Sequence, residues 1–189
     1  MKTIICDIDG TITNMWPIEK SVLLYMINIK FEQKIEQMKS AGITDYDIFL
    51  YFSSQKISQK KYIDIYNQSF FILLQSGRLP VPEKYYLVQW IFTQKNKYRF
   101  VYATGGQRPE TLYVLRSLGL TECFTLEDSI DKTVCRFSKK TGIPFRKIRS
   151  KFNDCILISD SKSDCNGAAL VQMPFILVKP KQNYFDLII

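Results

Sequence analysis

Short apolar segments alternate with helix-like segments over most of this chain, and this alternation constrains the fold more than any other feature. The candidate strands cover residues 2–7, 98–104, 123–126, 154–160 and 175–178. Each is apolar and partly β-branched or aromatic, as is typical of strands that are buried on both faces. Helices are predicted between them near 83–94, 108–118, 132–141 and 163–172. This order predicts an α/β fold with a doubly wound parallel sheet.

Residues 15–80 have a different pattern, in which apolar residues follow a helical period and no strand is indicated. Helices rich in Tyr and Phe are predicted near 45–51 and 60–74. The segment Gly77-Arg-Leu-Pro-Val-Pro82 then marks the return to alternating strands and helices. We therefore predict a Rossmann-like core made of residues 1–14 and 81–189, interrupted by a mainly helical insertion at 15–80.

The composition excludes several kinds of active site. The 189 residues include no histidine, which rules out histidine-based catalytic triads and histidine-ligated metals. The five cysteines form no Cys-x-x-Cys pair, so neither a zinc site nor a disulfide framework is indicated. Any acid–base chemistry must therefore come from carboxylates, Lys, Tyr or Cys.

The net charge of +8 favours acidic partners, such as phosphorylated small molecules or nucleic acid. The basic stretches lack interleaved aromatic residues, and we interpret them as solvated faces rather than as a nucleic-acid platform. The only apolar run near the N-terminus is too short for a signal peptide or a membrane span. A cytoplasmic location without membrane attachment is therefore expected.

Carboxylates follow two of the predicted strands. Asp7 and Asp9 come directly after the first strand, and Gly10 allows a tight turn there. Asp160 and Asp164 follow the strand at 154–160 in the same way. The carboxyl ends of parallel strands share one edge of the sheet, where ligands bind. Because crowded carboxylates are costly without a cation, this arrangement indicates a Mg²⁺ site.

A candidate anion site follows the strand at 98–104. Thr104, Gly105 and Gly106 lead into a helix, where a hydroxyl and backbone N–H groups could bind phosphate. Lys132 opens the next predicted helix, although a lone lysine is more often a surface residue.

Taken together and in this order, the four elements resemble the signature of the haloacid dehalogenase (HAD) superfamily of phosphohydrolases. The matching positions are the Asp-Ile-Asp-Gly-Thr motif at Asp7, then Thr104, Lys132 and the Asp160/Asp164 pair. The spacings suit that fold, since 132 − 104 and 160 − 132 are both 28. The nearby Lys139 and Lys140 leave open which lysine belongs to the motif, and Ser159 stands where relatives often have Gly.

The resemblance implies a role for each matching residue. Asp7 would be the nucleophile that forms a phospho-aspartate, and Asp9 would be the general acid and base. Thr104, the amide of Gly105 and Lys132 would bind the substrate phosphate.

The resemblance also implies a metal site and a cap. Mg²⁺ would bind Asp7, the Asp9 carbonyl and Asp160, with Asp164 as a ligand or as a residue that orients one. The helical insertion would be a cap over the site, which favours a small phosphorylated metabolite as substrate.

Three alternatives to a small-molecule phosphatase remain open at this stage. A sugar phosphomutase would share the same motifs. A polynucleotide phosphatase acting on nucleic-acid ends would account for the positive charge. A non-catalytic protein could retain the fold, although the complete set of carboxylates argues against it.

Overall fold

The structure, a computed structural model, describes residues 1–28 and 32–179. Residues 29–31 of the predicted insertion and 180–189 of the predicted core lie outside this range. Four strands form one sheet: β1 Thr3–Cys6, β2 Arg99–Tyr102, β3 Cys155–Ser159 and β4 Phe175–Leu177. Their order is β2-β1-β3-β4 and every pairing is parallel, so the prediction of an α/β fold with a parallel sheet is confirmed.

The described ranges contain eight α-helices. They are α1 Trp16–Ile27, α2 Glu32–Ser40, α3 Asp45–Ser53, α4 Gln59–Gln75, α5 Tyr86–Gln94, α6 Arg108–Ser117, α7 Ile143–Arg149 and α8 Lys162–Ala169. Within these ranges, none of the helices has the length and apolar character needed to cross a bilayer.

The described chain divides into two compact units. One comprises Met1–Met15 and the described residues from Pro82 onward, and it contains the sheet and α5–α8. The other is Trp16–Val81, which contains α1–α4 and a core of its own. That core is built from apolar and aromatic side chains, namely Ile18, Val22, Leu23, Ile35, Ile48, Phe49, Tyr62, Tyr66 and Phe70.

The core of the first unit surrounds β1, one of the two inner strands of the sheet. Ile4, Ile5 and Cys6 have no exposed surface. Phe145 and Ile148 of α7 pack in the same cluster as Ile5, which explains why a helix of only seven residues forms there. Sequence analysis missed α7, because a segment this short carries too little periodicity to be recognised.

The predicted strand at 123–126 is wrong. The segment begins as a 3₁₀ turn, Thr121–Cys123, and then forms two isolated bridges, from Phe124 to Phe100 of β2 and from Ile130 to Ala103, the residue after β2. Between these bridges the chain turns, and the Ser129 hydroxyl accepts the N–H of Tyr102 at 3.0 Å. A side chain thus takes the place of a backbone acceptor, and a continuous fifth strand does not form.

The predicted helix at 132–141 is also wrong. The buried carboxylate of Asp131 accepts the N–H groups of Thr133 and Val134, at 2.8 and 3.3 Å, and this stabilises a single turn. Two consecutive β-branched residues then disfavour helix propagation. The next regular element is only a 3₁₀ turn, Lys139–Thr141, which ends at Gly142 in the left-handed conformation.

Candidate active site

The register of the sheet brings three of the predicted motifs to one edge. Cys6 is level with Tyr102 on one side and with Ile158 on the other. Beyond this row, the N–H of Asp7 donates to the Ile158 carbonyl at 3.0 Å, and the N–H of Ala103 donates to the Cys6 carbonyl at 3.0 Å. The segments that start at Asp7, Thr104 and Asp160 therefore leave neighbouring strands at the same end of the sheet.

Asp7 is a buried carboxylate at the tip of β1. Its Oδ1 atom accepts the N–H of Ile8 at 2.8 Å and lies 2.6 Å from the Lys139 ammonium. Burial raises the pKa of Asp7; Lys139 lowers it and Asp164 raises it, and the resulting pKa is about 7. A carboxylate at this position can therefore change its protonation state near neutral pH.

Lys139 is the cation of the site. Its Nζ atom lies 2.6 Å from Asp7 Oδ1 and 2.5 Å from Asp164 Oδ2, and only 13% of its side chain is exposed. Burial alone would lower the pKa of Lys139, but the two carboxylates outweigh burial and raise it. The ammonium therefore remains charged between its two partners.

Lys132, the lysine that the resemblance assigned to phosphate binding, forms no ion pair with the carboxylates of Asp7 and Asp164 in the described part of the chain. The backbone N–H of Lys132 donates to the Gly106 carbonyl at 3.2 Å. The lysine that contacts the predicted nucleophile is Lys139, one of the two alternatives left open by the sequence.

Asp160 is fixed by the loop that follows β1. The Thr11 hydroxyl donates to Asp160 Oδ1 at 2.9 Å and accepts the N–H of Asp160 at 3.0 Å. Gly10 has φ +74°, and a Cβ atom there would lie 2.2 Å from Asp160 Oδ2. Only glycine leaves room for the Asp160 carboxylate at this point, which accounts for the glycine in the first motif.

Asp164 is buried at the start of α8, where its N–H donates to Ser161 Oγ at 3.4 Å. The buried Ser159 hydroxyl lies 3.2 Å from Asp164 Oδ2 and 3.4 Å from Asp7 Oδ2, and it accepts the Ser161 N–H at 3.1 Å. With one proton to donate, this hydroxyl bonds one of the two carboxylates at a time. Sequence analysis treated Ser159 only as a departure from the family pattern and did not assign it to the site.

The remaining predicted residues, Thr104, Gly105 and Asp9, follow β2 and β1. Thr104 is buried, and its Oγ1 atom accepts the N–H of Gly106 at 3.1 Å. Gly105 between them is exposed, with no atom within 4 Å of where its Cβ would be. The exposed Asp9 accepts the N–H of Met15 at 2.8 Å through Oδ1.

Comparison with solved structures gives close matches in fold at low sequence identity. A HAD-superfamily hydrolase of subfamily IA from Geobacter sulfurreducens is 13% identical with a TM-score of 0.71, over 99% of this chain and 94% of the other. The chain has the haloacid dehalogenase fold. A β-phosphoglucomutase from Clostridium difficile is 20% identical with a TM-score of 0.65, over 99% and 87% of the two chains.

A third solved structure of the HAD fold is described as bound to magnesium. This HAD-hydrolase, YfnB from Bacillus subtilis, is 15% identical with a TM-score of 0.61, over 94% of this chain and 92% of the other. At these identities the likeness concerns the fold. No protein-family model and no curated protein matches the sequence.

The HAD fold implies a magnesium ion, and the oxygen donors at the tips of β1 and β3 fit it. Mg²⁺ is held by one or two carboxylates together with water and substrate phosphate, rather than by a cage of protein ligands. Asp7 and Asp160 supply two hard carboxylates, and the Gly10 turn keeps space for Asp160. The described residues include no group of three or more His, Cys, Asp or Glu side chains that could hold a metal ion by themselves.

Proposed function

We propose that this chain is a magnesium-dependent phosphomonoester hydrolase that acts through a phospho-aspartate on Asp7. One observation carries the proposal: Asp7 is buried at the tip of the inner strand β1, in contact with the ammonium of Lys139. Such a carboxylate is desolvated, and it has a cation beside it where a phosphate would arrive. The fold shared with HAD hydrolases supports the same conclusion.

In the first chemical step, an Asp7 oxygen attacks phosphorus and forms an acyl phosphate, while the bond from phosphorus to the leaving oxygen breaks. Asp9 donates a proton to that oxygen, so that an alcohol leaves. Lys139, the Thr104 hydroxyl and the Gly105 N–H bind the other phosphate oxygens, where negative charge is concentrated.

In the second step, Asp9 accepts a proton from a water molecule that attacks phosphorus. The bond between phosphorus and Asp7 breaks, phosphate is released, and the Asp7 carboxylate is restored. Asp7, Asp160 and the Asp9 carbonyl would hold Mg²⁺, which would supply positive charge beside the phosphate oxygens. Asp164 keeps Lys139 in place through its 2.5 Å ion pair, which makes it a positioning residue in this scheme.

The proposed substrate is a small phosphorylated metabolite, because Trp16–Val81 is proposed to act as a cap. An inserted lid excludes water and restricts access to the site. A panel of phosphorylated metabolites, assayed for phosphate release with and without Mg²⁺, tests the proposal. Asp7→Asn should abolish release while the circular dichroism spectrum is unchanged, and an active Asp7→Asn enzyme would refute the assignment of the nucleophile.

A sugar phosphomutase is the second candidate, because a β-phosphoglucomutase is among the structural neighbours. A mutase would return the phosphoryl group from Asp7 to a bound sugar phosphate instead of to water. The two functions differ in product, so hexose phosphates should be assayed for both free phosphate and isomerised sugar phosphate. Isomerisation without phosphate release would favour the mutase.

A phosphatase acting on nucleic-acid ends is favoured by one further observation. The segment 132–151, which contains Lys139, carries many Lys and Arg residues without a single Asp or Glu. Binding of a polyanion weakens steeply as salt increases. Release of phosphate from an oligonucleotide end that falls steeply between low and high salt would support this function, and turnover confined to metabolites would exclude it.

A further inference from the structure

Two glycines form the contact between α8 and the 3₁₀ turn Lys139–Thr141. A Cβ atom at Gly167 would lie 2.1 Å from the carbonyl oxygen of Lys139 and 3.2 Å from Cα of Lys140. A Cβ atom at Gly142 would lie 2.8 Å from the carbonyl oxygen of Gly167. The two backbones therefore pack directly on each other, with no side chain between them.

The atoms in this contact cannot easily move away. The neighbour of Gly167 is a backbone carbonyl, not the end of a flexible side chain. Gly142 has φ +72°, a conformation that residues with a side chain rarely adopt. A methyl group at position 167 would therefore displace the turn by about 1 Å to restore a normal contact distance, since carbon and oxygen pack at roughly 3–3.5 Å.

Helix α8 contacts Lys139 at both ends of the residue. Gly167 packs against the Lys139 carbonyl, and Asp164 lies 2.5 Å from the Lys139 ammonium. Positions 164 and 167 are three apart and so lie on the same face of the helix. The helix thereby sets both the position of the Lys139 backbone and the direction of its side chain.

We infer that Gly167 is a positioning residue that places the Lys139 ammonium between Asp7 and Asp164, an inference that rests on the proposed function for its catalytic consequence. Gly142 contributes the other half of the same contact. A displacement of about 1 Å at a group that binds the reacting phosphate lowers turnover by roughly 10- to 100-fold.

The first test measures Lys139 itself and does not depend on activity. Wild type, Gly167→Ala and Gly119→Ala are treated with limiting acetic anhydride, and acylation of Lys139 is quantified by mass spectrometry relative to the exposed Lys56. Gly119→Ala is the control for an added methyl group without this contact, because the Cβ at Gly119 would meet only Phe92, at 3.5 Å. Gly119 has φ +73°, which Gly167 in α8 does not, so the control carries more backbone strain than the test variant. Lys139 should react several-fold faster in Gly167→Ala alone.

The second test measures turnover. Gly167→Ala should lower kcat by about 10- to 100-fold, whereas Gly119→Ala should stay within about twofold of wild type. In a Lys139→Gln background, Gly167→Ala should cause no further loss, because the group that it positions is absent. An equal additional loss in that background would assign Gly167 a merely structural role and overturn the inference.

The two tests separate the inference from the proposed function. If Lys139 in Gly167→Ala is acylated at the wild-type rate, the inference is wrong, whatever the activity. If wild type hydrolyses no phosphoester, the proposed function is wrong, and the acylation rates still decide whether Gly167 places Lys139. Should Gly167→Ala fail to fold, Gly142→Asn tests the same contact, because Asn tolerates a positive φ while its Cβ would approach the Gly167 carbonyl.

Discussion

Asp7 lies in an environment that favours its neutral form in the metal-free protein. Burial raises the pKa of its carboxyl to about 7, despite the nearby Lys139. A group of this kind binds its proton more tightly in the folded state than in the unfolded state. The contribution of Asp7 to the free energy of unfolding therefore falls as the pH rises from about 4 to about 7, where folded Asp7 loses its proton. Above that pH the contribution no longer changes.

Asp7→Asn should consequently stabilise the metal-free protein, by an amount that depends on pH. In the presence of a chelator, the mutant and wild type should melt at similar temperatures near pH 4. The mutant should gain on the order of 2–4 kcal/mol by pH 8, since each pKa unit is worth about 1.4 kcal/mol. Melting curves across this pH range check the prediction, and a gain that shrinks as pH rises would contradict it.

The two candidate lysines provide a matched pair of substitutions. Lys139→Gln should lower kcat/KM by about 100- to 1,000-fold, because a cation in contact with the nucleophile and the phosphate is lost. Lys132→Gln removes the same charge from a side chain without an ion pair to the described site carboxylates, and should change kcat/KM by less than about threefold. Steady-state kinetics at saturating Mg²⁺ measure both, and the reverse order would restore the assignment to Lys132.

At the scale of elements, the segment between β2 and α7 is held by side chains rather than by a strand and a helix. Ser129 accepts the Tyr102 N–H at 3.0 Å and donates to the Thr125 carbonyl at 2.8 Å. One hydroxyl therefore links the backbone of β2 to the backbone of the turn at Thr125.

Ser129→Ala should destabilise the protein, because the buried N–H of Tyr102 would lose its acceptor. An unsatisfied buried group of this kind costs about 1–3 kcal/mol. Ser117→Ala, at the exposed end of α6, is the control and should change stability by less than about 0.5 kcal/mol. Urea denaturation measures both variants. An effect of Ser129→Ala no larger than that of the control would mean that water or another group replaces the hydroxyl.

The same segment shows where sequence patterns are informative and where they are not. β1 and β3 were predicted because their burial on both faces is visible as continuous apolar runs. The bridges at Phe124 and Ile130 could not be predicted, because the Ser129 hydrogen bond depends on a residue 27 positions away. The failed helix at 132–141 depends on the buried Asp131, which local propensity does not reveal.

At the scale of the whole molecule, the proposed binding of a cation by the carboxylates at one end of the sheet would make folding and cation binding interdependent. Asp160 emerges from β3 next to the Gly10 turn, so a cation bound there would connect the tips of two neighbouring strands. A ligand that binds only the folded state raises the free energy of unfolding by about 2.7 kcal/mol when its concentration is 100 times Kd.

Mg²⁺ should therefore raise the melting temperature of wild type at pH 8 by several degrees relative to a chelator. Asp160→Asn should abolish this shift. Asp128→Asn should retain it, because Asp128 pairs with Lys151 and lies outside the candidate site. Differential scanning fluorimetry of the three proteins is sufficient, and an undiminished shift in Asp160→Asn would exclude Asp160 as a ligand.

Some residues of the candidate site could be placed from the sequence, and others could not. Asp7 and Asp160 follow strands whose register is fixed by the parallel sheet, so their proximity could be predicted. Lys139 reaches Asp7 from a turn whose placement depends on the contact between Gly142 and Gly167. A contact between two glycines leaves no hydrophobic pattern in the sequence, so the sequence alone could not show which of the nearby lysines contacts Asp7.

The hydrogen bond from the Met15 N–H to Asp9 has a mechanical consequence. Met15 is covalently joined to Trp16, the first residue of α1, so a rotation of that helix would act on Asp9 through a single peptide linkage. A change in the backbone at Trp16 would thus reach the carboxylate that is proposed as the general acid through one residue and one hydrogen bond. The position of the Asp9 carboxylate would then depend on the backbone conformation at the start of α1.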